Sequence, residues 1–299
     1  MTRSLCLGLL GFSGNYIKQD LSNLGGALFF ALNSFDLIDI STDYGIDYNL
    51  VETLKKLNIS NTKARFIYKV GSNYSEAYDV NQLIHRTNAD MHFFGVSKID
   101  SIMFHRPSSS KLSSDTKFFR FIRSIYPDIP FGICTNSESI YTLYNNNMDI
   151  EVVQIALNPL DYVSNSALLS TLSKNCVSIQ ARSILSSGLL SGKYDHESRF
   201  THHMRSRYHL KAVSSKYRNR IETASKVIRY IGDEYNISLE DVPVFLYSIF
   251  ENIPCVKRVI RGGSSLEQIS KNLTTIPIDL SVLNHFITMM EADWGCEYV

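Results

Sequence analysis

Short apolar runs recur along this chain, each followed by a stretch of helical character, a rhythm that few folds accommodate. The runs are FDLIDI (Phe35–Ile40), RFIYKV (Arg65–Val70), IDSIMFH (Ile99–His105), PFGICT (Pro130–Thr135), EVVQIAL (Glu151–Leu157), VSIQARSI (Val177–Ile184) and CVKRVI (Cys255–Ile260). A weaker IPIDL (Ile276–Leu280) completes eight. Most place apolar residues consecutively instead of alternating them, as strands of a helix-covered parallel sheet do. No Pro- or Ser-rich linker divides the series and no repeat of fixed period is visible. Eight unbroken strands predict a closed (β/α)8 TIM barrel; strand counting alone leaves a doubly wound open sheet as the rival. The 299 residues suit one such barrel, so a single domain over residues 1–299 with a C-terminal tail is expected.

The intervening segments agree. Ile221, Ala224, Ile228, Ile231 and Tyr235 fall three and four apart, one face of an amphipathic helix. Ser238 and Asp241 have the S-x-x-D capping form ahead of a helix carrying Val242, Phe245, Leu246 and Ile249. No apolar run approaches the ~18 residues of a membrane helix, and Gly25–Leu32 is the richest. The amino terminus is too short in apolar residues and too Gly-rich for a signal peptide. Cys6, Cys134, Cys176, Cys255 and Cys296 are scattered, with no C-x-x-C pair and no histidine at zinc spacing. No metal site is expected, and a reducing cytoplasm is the expected compartment. Thirty basic against 29 acidic residues, a net charge of +1, select no class of partner.

Barrel chemistry gathers at the carboxyl ends of the strands. That rule picks Asp39 and Tyr44 after the first run, Lys69 in the second and His105 closing the third. It then picks Cys134, Thr135 and Asn136 after the fourth, Gln154 and Asn158 around the fifth, and Arg182 in the sixth. Singly each has a bland reading: Asp39 a cap, Lys69 a snorkelling side chain, His105 a core histidine, Tyr44 a rim aromatic. Together they form a chemical set. An ammonium beside a phenol favours the phenolate and lowers its pKa from about 10. An aspartate keeps that lysine charged, and a histidine can hydrogen-bond a substrate oxygen. Such a set moves a proton onto a carbonyl oxygen as hydride reaches carbon.

These residues resemble the aldo-keto reductase superfamily. FDLIDISTDYG is similar to the family's Asp…Tyr-Gly motif, RFIYKVG to its lysine strand, and IDSIMFHRP to its Asp-then-His-Arg-Pro pattern. FGICTNSES resembles its Gly-Val-Ser-Asn stretch, EVVQIALNPL its Gln-bearing strand, SILSSGLLSGKY its Gly-x-Leu-x-Gly-Lys-Tyr loop, and VIRGGSSLEQISKNL its adenosine-phosphate motif. The likeness runs from about Asp36 to Leu273 in family order. It implies Tyr44 as general acid, Lys69 as the group depressing its pKa, Asp39 as the anchor of Lys69, and His105 as the group orienting the carbonyl. It also implies a nicotinamide cofactor, NADP(H) preferred and NAD(H) allowed, that delivers hydride to an aldehyde or ketone, a sugar or nucleotide-linked sugar among the candidates.

By the same resemblance, Gln154 would grip the nicotinamide carboxamide. Gly188, Ser191 and Lys193 would hold the pyrophosphate, with Ser183 and Leu185 nearby. Gly262, Ser264, Gln268 and Asn272 would hold the adenosine and its 2′-phosphate; a capped surface helix is the bland alternative. Departures are visible too. Cys134-Thr135 replaces the family's Ser-Asn pair at the carboxamide, Arg182 replaces the aromatic that stacks on the nicotinamide, and Ile184 replaces a proline. Lys271 and Arg261 add positive charge that tilts the choice towards NADPH. Arg199 to Arg220 is basic and free of acidic residues, readable as an anion clamp or as a solvated helix face.

Other plans fit less well. Gly8, Gly11 and Gly14 are spaced G-x-x-G-x-x-G, not as a dinucleotide fingerprint, and no Tyr-x-x-x-Lys pair occurs. Nucleic-acid and membrane partners are not expected, and the oligomeric state is open. A non-catalytic, nucleotide-binding regulatory or redox-sensing subunit stands as the alternative function. The tail around Trp294 could reach the barrel mouth or pack on its wall.

Overall fold

A computed structural model describes residues 4–14, 21–45, 50–57, 59, 61–71, 80–107, 112–135, 140, 150–194, 198, 215–292 and 294. Eight parallel strands close into a barrel in chain order: β1 (Cys6–Gly8), β2 (Leu37–Ser41), β3 (Arg65–Val70), β4 (Ile99–His105), β5 (Phe131–Cys134), β6 (Val152–Ala156), β7 (Ser178–Arg182) and β8 (Val256–Gly262). Closure runs through β1 and β8, with Gly8 opposite Gly262. Helices α1 (Leu21–Ser34), α2 (Leu50–Lys55), α3 (Val80–Phe94), α4 (Leu112–Ile125), α5 (Tyr162–Lys174) and α6 (Ser215–Tyr235) follow successive strands, though none is described between β5 and β6. The chain closes with α7 (Val242–Asn252), α8 (Leu266–Lys271) and α9 (Leu280–Ala292).

Seven of the runs are strands β2 to β8; the eighth is not. Ile276–Leu280 lies in an irregular segment, where the Ile276 N–H bonds the Ser248 hydroxyl at 3.0 Å and Leu280 opens α9. Pro277 lacks the N–H that a ladder needs. The missing strand is β1, three residues bounded by Gly8, too short and too close to further glycines to show a period. The expected helices are present as α6 and α7. Ser238, however, spends its hydroxyl on the Asp241 carboxylate at 2.6 Å, and α7 begins only at Val242.

Strand side chains alternate between two environments. Ile38, Ile40, Phe66, Tyr68, Ile102, Phe104, Ile133, Val153, Ile155 and Ile179 join the large core between barrel and helices. Cys6, Leu37, Ile67, Met103, Cys134, Val152 and Ile260 form a separate cluster that fills the barrel interior. Below it Arg258 of β8 pairs with Asp100 of β4, closing the end of the barrel remote from the loops that follow the strands. The period of two then puts Asp39, Ser41, Lys69, His105, Gln154 and Gln180 in the inward series, nearer the strands' carboxyl ends.

Trp294 is buried on the helical wall, its ring 5.1 Å from that of Tyr230 in α6 and 5.2 Å from that of Phe286 in α9. The tail as far as Trp294 therefore takes the wall and not the mouth. Among the described residues, no helix is long and apolar enough to cross a membrane. No group of three or more metal-ligating side chains occurs among them either.

Candidate active site

Adjacent strands bring the four expected side chains to one place. In the β2–β3 register Asp39 faces Ile67 and Ser41 faces Lys69, so inward-pointing Asp39 and Lys69 are diagonal neighbours. The Lys69 ammonium donates to Asp39 Oδ1 at 2.6 Å and to the Tyr44 hydroxyl oxygen at 2.5 Å. Tyr44 reaches back from the turn after β2, where its N–H bonds the Ser41 carbonyl. Its ring meets the His105 imidazole edge-on, with centroids 6.2 Å apart. All four side chains are buried.

Burial dominates their electrostatics. It raises the Tyr44 phenol well above its usual range, and the Lys69 charge opposes that without overcoming it. The expectation that Lys69 would leave the phenol with a net lowered pKa is therefore corrected: a dry pocket with Asp39 close by disfavours a second negative charge more than one ammonium favours it. Burial pulls Lys69 down, but Asp39 and Tyr44 carry the net shift upward, so the ammonium stays charged. Burial, then Lys69, Arg106 and Arg182, hold His105 well below its usual value. At neutral pH the set is a phenol, an ammonium and a neutral imidazole.

Three further side chains join this site: Ser41 and Asp43, at positions inside the Asp…Tyr-Gly stretch to which no role was given, and Gln180, outside the quoted motifs. Ser41 Oγ lies 2.9 Å from His105 Nδ1 and also accepts the Asp43 N–H at 3.3 Å. Asp43 stands 3.6 Å from the same imidazole nitrogen. Burial lifts its carboxyl to about 6 against the pull of Arg86, Thr42, Arg106 and Lys69. Gln180 of β7 accepts from Gln154 Nε2 at 3.2 Å, while its own Nε2 is buried without a partner. Ser41 and Gln180 share inward parity with Asp39 and Arg182, so counting by twos along each strand finds them.

The residues assigned to a cofactor end on the neighbouring strands β5 to β8. Gln154 is fully buried and engaged: Nε2 donates to Asp39 Oδ2 at 2.8 Å, and Oε1 accepts from Lys69 at 3.3 Å and from the Cys134 thiol at 3.0 Å. Thr135 is buried beside Cys134. Asn158, around β6, caps its own loop through Leu160 N and Asp161. Asn136 lies outside the described residues.

After β7 the backbone turns through left-handed residues, Ser183, Ser186, Ser187 and Gly188, unusual for three serines in one loop. Arg220 ties this turn down, bonding Ser186 Oγ at 2.8 Å and Asp161 through both carboxylate oxygens at 2.8 and 2.7 Å. Leu185 precedes the short 3-10 segment Ser186–Ser191, and the Ser191 hydroxyl bonds the Gly188 carbonyl at 2.7 Å. Lys193 follows, exposed. Of the basic segment, residues 199–214 lie outside the described residues.

After β8, Gln268 Oε1 accepts from the Ser264 N–H at 3.0 Å and from its hydroxyl at 3.2 Å, while Asn272 Nδ2 donates to the Gly262 carbonyl at 2.9 Å. A Cβ on Gly11 would sit 1.9 Å from the Gly263 carbonyl oxygen, so the loop after β1 must be bare there. The charge argument for NADPH does not survive. Arg261 is fully buried, holds Glu251 at 2.9 and 2.8 Å and donates to the carbonyls of Asn272 and Thr274. Lys271 pairs with Asp241 at 3.0 Å. Sequence shows charge, not the partner that neutralises it.

A family model described as the aldo/keto reductase family matches residues 4–284. No curated protein matches the chain. Solved structures share the fold at low identity. A glycerol dehydrogenase from Gluconobacter oxydans superposes with a TM-score of 0.70 at 16% identity, over 97% of this chain and 92% of the other. An aldo-keto reductase from Bacillus halodurans in its holo form gives 0.69 at 14%, over 99% and 94%. An aldo-keto reductase from a Medee basin deep-sea metagenome library gives 0.61 at 16%, over 98% and 93%.

Proposed function

The chain belongs to the aldo/keto reductase family, and on that premise we propose that it reduces an aldehyde or ketone to the alcohol at the Tyr44 hydroxyl, with a nicotinamide nucleotide as co-substrate. The contact that carries this reading is the 2.5 Å approach of the Lys69 ammonium to the Tyr44 oxygen. The residues fit such a nucleotide chemically. Lys193 is exposed with no carboxylate within 4 Å among the described residues. Arg182 keeps a buried Nε without a partner, and Ser264 presents a hydroxyl beside Gly262 and Gly263. Gln154 would hold the carboxamide by exchanging its longer bond to Gln180. Lys193, Gly188 and Ser191 would hold the pyrophosphate; Ser264, Gln268 and Asn272, the adenosine end. Ser183, Leu185, Cys134 and Thr135 would line the nicotinamide's side. NADPH, favoured now by the family resemblance alone, is our first choice and NADH the second.

A bound nicotinamide nucleotide supplies the hydride. The protein supplies the rest. Tyr44 is a neutral phenol in the ground state, so it holds the proton that the carbonyl oxygen needs. As negative charge grows on that oxygen, the proton leaves Tyr44, and Lys69 stabilises the phenolate left behind. The lysine's attraction is thus realised in the transition state, where it raises the rate. The reaction calls for the tautomer with the imidazole proton on Nε2, in which the Ser41 hydroxyl, already accepting the Asp43 N–H, donates to His105 Nδ1. That Nε2–H is then the donor that orients the carbonyl. Oxidation of an alcohol follows the same path in reverse.

Steady-state oxidation of NADPH and NADH against a panel of aldehydes and keto-sugars tests this reading. Tyr44→Phe should lose roughly 10²- to 10⁴-fold in kcat, the usual worth of a positioned general acid, while still binding nucleotide by fluorescence titration. Equal rates in the two proteins would refute it.

A further inference from the structure

Gln180 stands level with Gln154 across the β6–β7 ladder, and Gln154 stands level with Cys134 across the β5–β6 ladder. Gln154 is saturated. Its Nε2 donates to Asp39 Oδ2 at 2.8 Å and to Gln180 Oε1 at 3.2 Å, while its Oε1 accepts from Lys69 at 3.3 Å and from the Cys134 thiol at 3.0 Å. An ammonium can only donate, so Lys69 must meet the oxygen of the Gln154 amide, and Nε2 is left for Asp39 and Gln180. Gln180 must in turn present its oxygen to Gln154. That leaves Gln180 Nε2 without a partner among the described residues, in a side chain with no exposure.

A dry, unpaired amide donor costs stability unless something uses it. Its position says what could. Arg182 follows two residues later on the same inward face of β7 and reaches across to the Thr135 carbonyl. The Gln154–Gln180 pair therefore lies beside the strand ends proposed above for the nicotinamide ring. Strong donors are scarce there, because the Cys134 thiol is a weak one and already serves Gln154. The carboxamide of a nicotinamide is a primary amide, and two such amides pair head to tail through two hydrogen bonds.

Resting on the reductase reading above, we propose that Gln180 is a second holder of the nicotinamide carboxamide, pairing with it amide to amide. Gln180 Nε2 donates to the carboxamide oxygen, and Gln180 Oε1 accepts from the carboxamide nitrogen. The Gln154 N–H that Gln180 releases turns to the same carboxamide oxygen. The donor left idle is then used, and Gln154 keeps Asp39 and Lys69. One chain of bonds thus ties the ring to the lysine that serves Tyr44.

Calorimetry on the full chain tests this. It measures binding of NADP+ and NAD+, of their ring-free counterparts 2′-phospho-ADP-ribose and ADP-ribose, and of the 3-acetylpyridine analogues, whose carbonyl lacks the amide nitrogen. Wild type, Gln180→Leu and Gln180→Met are compared, with thermal melts as the check on folding. Gln180→Leu should bind the nicotinamide form about tenfold more weakly, as expected for lost hydrogen bonds, while the ring-free nucleotide binds as before. Wild type should hold the acetylpyridine analogue less tightly by a similar factor, and the substitution should narrow that gap. Gln180→Met, close to glutamine in length, repeats the comparison if the leucine variant does not fold. Unchanged affinity of a folded variant for the nicotinamide form overturns the proposal and leaves the reductase reading standing. An equal loss with and without the ring overturns it as well, and so does a wild type indifferent to the amide nitrogen, with no variant needed. If wild type binds neither NADP+ nor NAD+, the cofactor assignment itself fails and takes this proposal with it.

Discussion

The Lys69 ammonium and the Asp39 carboxylate lie 2.6 Å apart with each side chain only 2% exposed. Such a pair behaves asymmetrically. Removing one partner strands a charge in a dry interior, at a cost of about 3–5 kcal/mol, whereas removing both costs far less. Asp39→Asn and Lys69→Met should therefore each be strongly destabilised in urea. The double variant should recover most of the loss, with a coupling of about 2 kcal/mol or more. Turnover should not recover with it, because the phenolate at Tyr44 then forms without its ammonium. Additive losses in the two single variants would show that the ion pair is not the unit described here.

The pair was legible in the sequence because its residues sit in motifs that also obey strand periodicity. His105 closes its apolar run and Asp39 and Lys69 lie one residue before the ends of theirs, and a barrel brings such ends together. Ser41 and Gln180 share that geometry but are small or uncharged, so no chemical signal raised them. Strand β1 escaped because three residues cannot display a period, while Ile276–Leu280 imitated one until Pro277 and the exposed Leu280 are given their weight. Arg261 misled for another reason. Its meaning depends on Glu251, ten residues earlier on α7, and a charge count cannot see a partner on another element.

Asp43 gives the protein a pH signature of definite sign. Burial raises its carboxyl from 3.8 to about 6, so its ionised form is disfavoured in the folded state. Its favourable contribution to stability is complete below pH 3.8 and is lost as the pH climbs through 6. His105, depressed by burial, works the other way: it contributes fully above about 6.5 and loses ground as the pH falls. Asp43→Asn removes the first effect. The stability of that variant relative to wild type should grow between pH 4 and 7, by on the order of 2 kcal/mol. Denaturant melts at five pH values check this, and a difference independent of pH would contradict it.

Ser41 is where a small change should separate chemistry from folding. Its hydroxyl meets His105 Nδ1 at 2.9 Å inside the barrel, and the mechanism needs the imidazole proton on the opposite nitrogen. In Ser41→Ala that constraint is gone, and Asp43, 3.6 Å from Nδ1, draws the proton to its own side. Nε2 then becomes an acceptor and repels the carbonyl oxygen it should hold. The expected result is a fall in kcat of about tenfold, the worth of one hydrogen bond in a buried site, with nucleotide affinity preserved. Ser41→Thr, which restores a hydroxyl, should recover part of the rate. Nitrogen-15 spectra of the labelled imidazole report the tautomer directly. Wild type and Ser41→Ala with the same tautomer and the same kcat would remove Ser41 from the mechanism and leave it as filler beside the His105 ring.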